Sequence, residues 1–307
     1  MRQFPHRLVP AACVVVALAA VPACSLKTMA VKTVANTLAE PGDVFTRDND
    51  PELVRDALPF GLKLYESLLE SVPTHGPLLL ATCRGFTQYS YAFIEADADA
   101  LDASKRDEAS ALRDRALKLY LRARDYCLRG MEARFGAGTR NALLQDPAKA
   151  LAKATREDVP LLYWTAASWG AAVSLGIAQP ELVIDFPIVR GVADRALALD
   201  PDWSRGAIHE LMITLDSLPE ALGGSPARAR EHFNRAVELQ KGLSPSPYVA
   251  LATGVSVPAQ DRAEFDRLLK QALAIDPEKD PSNRLVTLVT QKKARILLDR
   301  VGEKFSK

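Results

Sequence analysis

One phrase, written three times, constrains this chain more than anything else in it: RALALDPDW from Arg195, RAVELQKG from Arg235 and QALAIDPEKD from Gln271. The leading alanines, Ala196, Ala236 and Ala272, are 40 and 36 residues apart, and a recurrence of roughly 34 to 45 residues is the spacing of stacked helical hairpins. Within the phrase the apolar residues recur at helical spacing. Asp200-Pro201 and Asp276-Pro277 then end the helix, because proline disfavours the helical conformation just before it. The phrase builds; it offers no nucleophile.

Helical signals fill the rest of the chain. Residues 26 to 40 read as a short amphipathic helix stopped by Pro41-Gly42. Asp50 precedes Pro51 as a natural N-cap, and Pro59 is expected to kink the helix that follows. A helix from Pro77 puts Phe86, Tyr89 and Phe93 on one face, and another runs from Ser104 to Phe135, ended by Gly136 and Gly138. From Pro160 the pairs become regular. A helix is also expected from Ser204 to Leu218, and only a short one in the Pro- and Ser-rich stretch after Pro247. No alternating strand pattern is present. The chain is expected to be all-α, a stack of helix-turn-helix hairpins of tetratricopeptide-like type.

The first residues carry a different message. MRQFPHRLVPAACVVVALAAVPACS has a basic start and an apolar run from Leu8 to Val21, too short to span a bilayer and right for a signal peptide. Val21-Pro22-Ala23-Cys24 resembles a bacterial lipobox, which makes Cys24 a lipid anchor to the membrane. Ser25 after it favours an outer-membrane destination facing the periplasm. The expected organisation is a leader over 1–23, an anchor and tether over 24–50, and the helical domain over 51–307. Loss of Arg2 and Arg7 with the leader leaves 37 basic against 38 acidic residues. That balance gives no electrostatic reason to expect a nucleic-acid partner.

Export leaves Cys83 and Cys127 as thiols in a compartment that permits a bridge. A turn at Leu101 to Ser104 would set Cys83 opposite residues 121 or 122, placing Cys127 about five residues, roughly 8 Å, too far along. The two cysteines are therefore expected to be unbridged.

No motif of catalysis is assembled. His75, His209 and His232 fall on separate elements, and His209-Glu210 lacks the second histidine of a zinc-protease helix, Ile213 standing there. No metal, cofactor or enzymatic activity is expected. The aromatic side chains allow two readings. Trp164 and Trp169 sit among Ala, Ser and Gly, and with Tyr89 and Phe93 they either fill gaps left by small neighbours or line a cavity for an apolar ligand.

FTRDNDPELVRDALPFGLKLYESLLESVPTHGPLLLATCRGFTQYSYAF, LLYWTAASWGAA, ALGGSPARAREHFNRAVEL and PAQDRAEFDRLLKQAL together resemble the T-component (TatT) family of tripartite ATP-independent periplasmic (TRAP) transporters. The resemblance implies a periplasm-facing lipoprotein, a homotrimer, that partners the periplasmic solute-binding P-component and holds a hydrophobic ligand in a channel. A tetratricopeptide scaffold lipoprotein of envelope assembly would share the anchor and the fold.

Overall fold

The computed structural model describes residues 22–40, 42 and 44–305, and every regular element among them is helical. Residues 1–21 of the expected leader lie outside the described residues. The first helix, α1 (Pro22–Ala39), runs through Cys24, whose side chain also lies outside them.

Local chemistry starts the helices where the sequence places it. In α2 (Pro51–Ser71) the Asp50 carboxylate accepts from the N–H groups of Glu52 and Leu53 at 3.1 Å each, and the helix continues through Pro59. Ser225 caps α9 (Pro226–Leu239) and Asp261 caps α11 (Arg262–Leu273) in the same way. The helix expected from Ser204 begins differently. In α8 (Trp203–Asp216), Ser204, Arg205 and Gly206 all have left-handed φ, 48°, 57° and 83°, so the right-handed helix starts only beyond them. Gly206 is required there: a Cβ would meet Leu239 at 2.8 Å.

Four hairpins stack side by side. Their inner arms are α3 (Gly76–Tyr89), α6 (Val159–Leu175), α8 and α10 (Ser246–Leu251); their outer arms are α4 (Arg106–Phe135), α7 (Phe186–Leu199), α9 and α11. Between α4 and α6 lies the short α5 (Thr139–Gln145). Two inner arms carry π-helical turns, α3 continuing through Ser90–Glu95 and a last α-turn at Ala96–Ala100, and α10 through Ala252–Ser256. The long helix α12 (Arg284–Asp299) follows the fourth hairpin. The apolar core runs between the two layers, with Leu162, Val189, Ile208, Leu268 and Tyr120 fully enclosed. Outside the first hairpin, α1 buries Ala35 and Ala39 against Leu78 and Ala81, and Tyr65 Oη donates to the Leu38 carbonyl at 3.0 Å.

The expectation about the cysteines is overturned. Cys83 and Cys127 form a disulfide, with Cα atoms 5.4 Å apart. The error lay in the turn. Asp102 accepts from Ser104 N at 2.9 Å and starts a 3-10 turn over Ala103–Lys105, which prolongs the first arm before the chain reverses. The reversal is therefore centred near Lys105, the midpoint of 83 and 127, rather than near residue 102. A pivot moved by about three residues moves every facing partner by about six, enough to bring Cys127 opposite Cys83.

The bridge closes a loop whose ends are 44 residues apart in sequence, and the chain-entropy relation assigns such a loop about 4 kcal/mol. Reduction, or the Cys83→Ala/Cys127→Ala pair, should lower the denaturant midpoint by an amount of that order. A linked peptide pair in the unreduced digest is the accompanying check; two free thiols there would refute the pairing.

Candidate functional site

Five inner helices, α3, α6, α8, α10 and α12, touch in succession, and α12 returns to the first hairpin against α2 and the π-turn of α3. The return is held by polar contacts. Arg300 donates to the Asp99 and Ala100 carbonyls at 2.9 Å each, and Leu285 N donates to the Thr46 carbonyl at 3.0 Å. Lys293 lies 3.5 Å from Asp99 and 3.9 Å from Glu95. A cavity of about 90 Å³ sits in this seam beside Arg55, Phe93 and Lys293. Five helices spaced about 9.5 Å apart in a ring put each axis about 8 Å from the centre. With a helix radius of about 5 Å, roughly 3 Å of radius remains for side chains or a ligand.

The side chains that point into this centre come from four of the five helices. On α3, Arg84, Gln88, Tyr91 and Glu95 recur at three- and four-residue spacing and are all half-buried or exposed. On α6, Tyr163, Trp164, Ala167 and Ala171 form a half-open face; on α8, Ala207, Glu210 and Leu211 do the same. Lys293 completes the set from α12, its ammonium 5.1 Å from the Tyr91 ring centroid. These groups are within each other's electrostatic reach although they lie far apart in sequence. Glu210 acts on the phenols of both Tyr91 and Tyr163, and Tyr91 acts on Tyr163. Tyr91 still keeps 45% of its surface open. Polar side chains that are open to solvent yet surrounded by protein mark a channel.

Its electrostatics follow from enclosure. Burial pushes the Glu210 carboxyl up to about 7, against the opposing hydrogen bond from Gln240 and the charge of Arg205. Lys293 pulls the Tyr91 phenol down, but burial and the nearby carboxylates outweigh it and leave it above the usual tyrosine value. Desolvation works against the Lys293 ammonium, yet Tyr91, Glu95 and Asp99 hold its pKa above the ordinary lysine value. Tyr120, fully enclosed, donates to Glu95 Oε2 at 2.9 Å and fixes that carboxylate from behind.

The four aromatic residues singled out in the sequence do not share one surface. Trp164 is on the half-open face of α6, edge-on to Tyr163 at 5.0 Å, and Tyr163 in turn meets Trp203 at 4.8 Å. Tyr89, Phe93 and Trp169 are buried, 8%, 4% and 2% exposed. Tyr89 and Phe93 pack on each other between α2, α3 and α4. Trp169 donates Nε1–H to Asp185 at 3.0 Å with Arg124 over its ring. Tyr91, Tyr163 and Glu210, which sequence reasoning passed over, take the central positions. The period could have found them: each is one or two positions from a residue of the packed face.

The histidines also depart from expectation. His209, read as a surface residue, is 7% exposed, and its Nδ1 is 2.7 Å from His232 Nδ1. Behind the pair, the fully buried Asp216 accepts from Arg190 at 2.6 Å and from Arg228 at 2.9 Å, with His232 Nε2 3.6 Å away. This cluster ties α7, α8 and α9 together. Among the described residues no group of three or more His, Cys, Asp or Glu side chains is placed to hold a metal ion.

The family model of the TRAP transporter T-component matches residues 47–305. The chain belongs to the TRAP transporter T-component family. A T-component is an accessory part of a transport system, and this family is not one of enzymes. An uncharacterised protein of Treponema pallidum (strain Nichols) is 33% identical over 303 residues, which cover 92% of this chain and 93% of that relative. No helix among the described residues is long and apolar enough to cross a membrane.

Two adjacent residues of this T-component titrate with opposite effect. Burial lowers His209 to about 4 from 6.5, so between those values the unfolded chain binds the extra proton and acidification costs stability. Glu210, raised to about 7 from 4.5, binds its proton first in the folded state, so acidification through that window adds stability. Glu210→Gln removes the second effect alone. Relative to wild type it should melt higher above pH 7 and lose melting temperature more steeply from pH 7 to pH 5. Parallel wild-type and variant curves would mean that Glu210 is not desolvated.

Proposed function

We propose that this T-component is a periplasm-facing accessory subunit, anchored to the outer membrane through lipid on Cys24, that docks a periplasmic solute-binding P-component. It holds a hydrophobic or amphipathic ligand in the channel ringed by the inner helices. The observation that carries this reading is the set of Tyr91, Tyr163, Glu210 and Lys293, partly open side chains that meet inside a closed ring. A packed core would have no use for them, since burying polar groups without partners costs free energy.

The walls suit such a ligand. Trp164, Ala167, Ala171 and Leu211 offer apolar surface around a few polar groups, the usual make-up of a small-molecule site. Trp164 is a ligand-facing residue in this reading, and Tyr89, Phe93 and Trp169 form the packed layer that fixes the wall from behind. The exposed apolar row on α2, with Leu53 59% and Phe60 76% open, supports a protein partner, the P-component or further copies of the chain in a homotrimer.

Trp164→Ala and Trp169→Ala separate the two layers. The first should leave thermal stability near wild type and weaken binding of a fluorescent fatty-acyl probe. The second should cost about 3 to 5 kcal/mol of stability, as buried Trp truncations do. Capture of the full chain from its own membranes, with mass spectrometry of what accompanies it, should recover a solute-binding protein. Recovery of outer-membrane assembly proteins instead, with no acyl-probe binding, would put the scaffold reading in its place. Cys24→Ala should release the protein from the membrane fraction.

A further inference from the structure

The channel contains one cation that nothing in the protein neutralises. Arg84 is half-buried on α3, and among the described residues it makes no hydrogen bond or ion pair. Its nearest charge influence is the Tyr65 phenol, too weak to offset the desolvation that lowers the guanidinium's pKa. Every other half-buried arginine or lysine has a partner. Arg55 holds Asp97, Arg190 holds Asp216, Arg230 holds Glu264 and Lys293 faces Asp99. Arg195 and Arg300 donate to backbone carbonyls, and the remaining three are paired likewise. A desolvated, unpaired guanidinium is costly to keep, and a protein that pairs the rest has placed this one for something else.

Its direction follows from its neighbours. Cys83 turns to α4 through the disulfide and to α6 through Sγ, 3.8 Å from Ser168 Oγ. Phe86 stacks on Tyr126 of α4 at 6.1 Å. Gly85 lies under Leu62 of α2, where a Cβ would come within 2.6 Å of that side chain. The one sector of α3 left over is that of Arg84, Gln88 and Tyr91, which faces the channel.

We propose that Arg84 receives the carboxylate of an amphipathic ligand, with the ligand's hydrocarbon part lying along the Trp164, Ala167 and Ala171 face of α6. The planar guanidinium presents paired N–H donors that match the two carboxylate oxygens, and this two-point, charge-assisted contact is strong in a desolvated setting. A single cation suits a single negative charge. A phosphate monoester, carrying close to two charges, would need a second unpaired cation, and Lys293 is committed to Glu95 and Asp99. Glu210, on the opposite side of the ring, has no cation bound to it and repels an anion from that wall.

This inference rests on the channel being a ligand site, and the test separates the two. Full-length wild type, Arg84→Gln and Arg84→Lys, purified in detergent, are titrated with cis-parinaric acid and with its methyl ester against protein-free detergent. Wild type should bind the acid about tenfold or more tighter than the ester. Arg84→Gln should lose that preference by weakening for the acid alone, and Arg84→Lys should keep part of it. Melting curves should show Arg84→Gln no less stable than wild type, since it removes an unpaired charge. If wild type binds acid and ester equally, or the glutamine variant binds the acid as wild type does, the carboxylate role of Arg84 is wrong while the channel stands. If neither probe binds wild type, both readings fall.

Discussion

The return of α12 to the first hairpin is the contact on which the rest depends. A stack of hairpins has two free ends, and without closure its inner face would be an open groove. Here the Arg300 guanidinium donates to the carbonyls of Asp99 and Ala100, the last acceptors of an arm that started at Gly76. Those carbonyls have no helical partner of their own and carry the negative end of the helix dipole, so a cation is favoured there. The seam differs in kind from the interfaces between hairpins. Those are apolar, as where Trp169, Val189 and Ile208 join one core. The seam is built of hydrogen bonds and of ion pairs such as Lys292 with Glu52 at 3.4 Å, and exposed pairs of that kind contribute little each. It is the ring's weakest junction, and the channel's enclosure hangs on it.

Closure at this radius also demands small residues. α6 is in the middle of the inner wall, against α3, α4, α7 and α8, and must be approached from several sides. A Cβ on Gly170 would come within 3.3 Å of Val189 and 3.5 Å of Leu215, tight but short of a clash. Ala166 and Ala172 are fully buried. Larger side chains at these points would push the neighbouring helices outward and move the Tyr163 and Trp164 rings with them. The small residues thus set helix spacing, and spacing sets the bore.

Much of the scaffold could be read in the chain before any fold was known. The recurring RALALDP phrase, the Asp50 and Ser225 caps and the absence of strand patterns placed nearly every helix. What escaped had physical reasons. The turn after Leu101 reads as a tight reversal, and only the Asp102 hydrogen bonds reveal the extra 3-10 turn that aligns the cysteines. His209 and His232 sit on different helices, so their 2.7 Å approach is a product of packing, invisible to spacing. The left-handed start of α8 follows from Gly206 passing beneath Leu239, a long-range contact. The aromatic residues were noticed for their size, yet size alone does not tell the packed side of an inner helix from the open one. On such a helix both sides are apolar, and the polar exceptions, Tyr91 and Glu210, are what distinguish the channel face.

The charges in the channel are arranged so that it stays open. Arg84 on α3 and Glu210 on α8 carry opposite charge on different walls, and they form no ion pair. Had they met, the pair would have satisfied both groups, at a desolvation cost that such pairs often fail to recover, and it would have bridged the bore. The structure instead keeps each short of its natural partner. Gln240, itself only 8% exposed, hydrogen-bonds Glu210 and steadies it without adding charge, while Tyr65 stands near Arg84 without neutralising it. Groups held in this way are pre-organised, because the cost of desolvating them is met in folding rather than at the moment of binding. A ligand then gains from contacts that the protein has declined to make with itself.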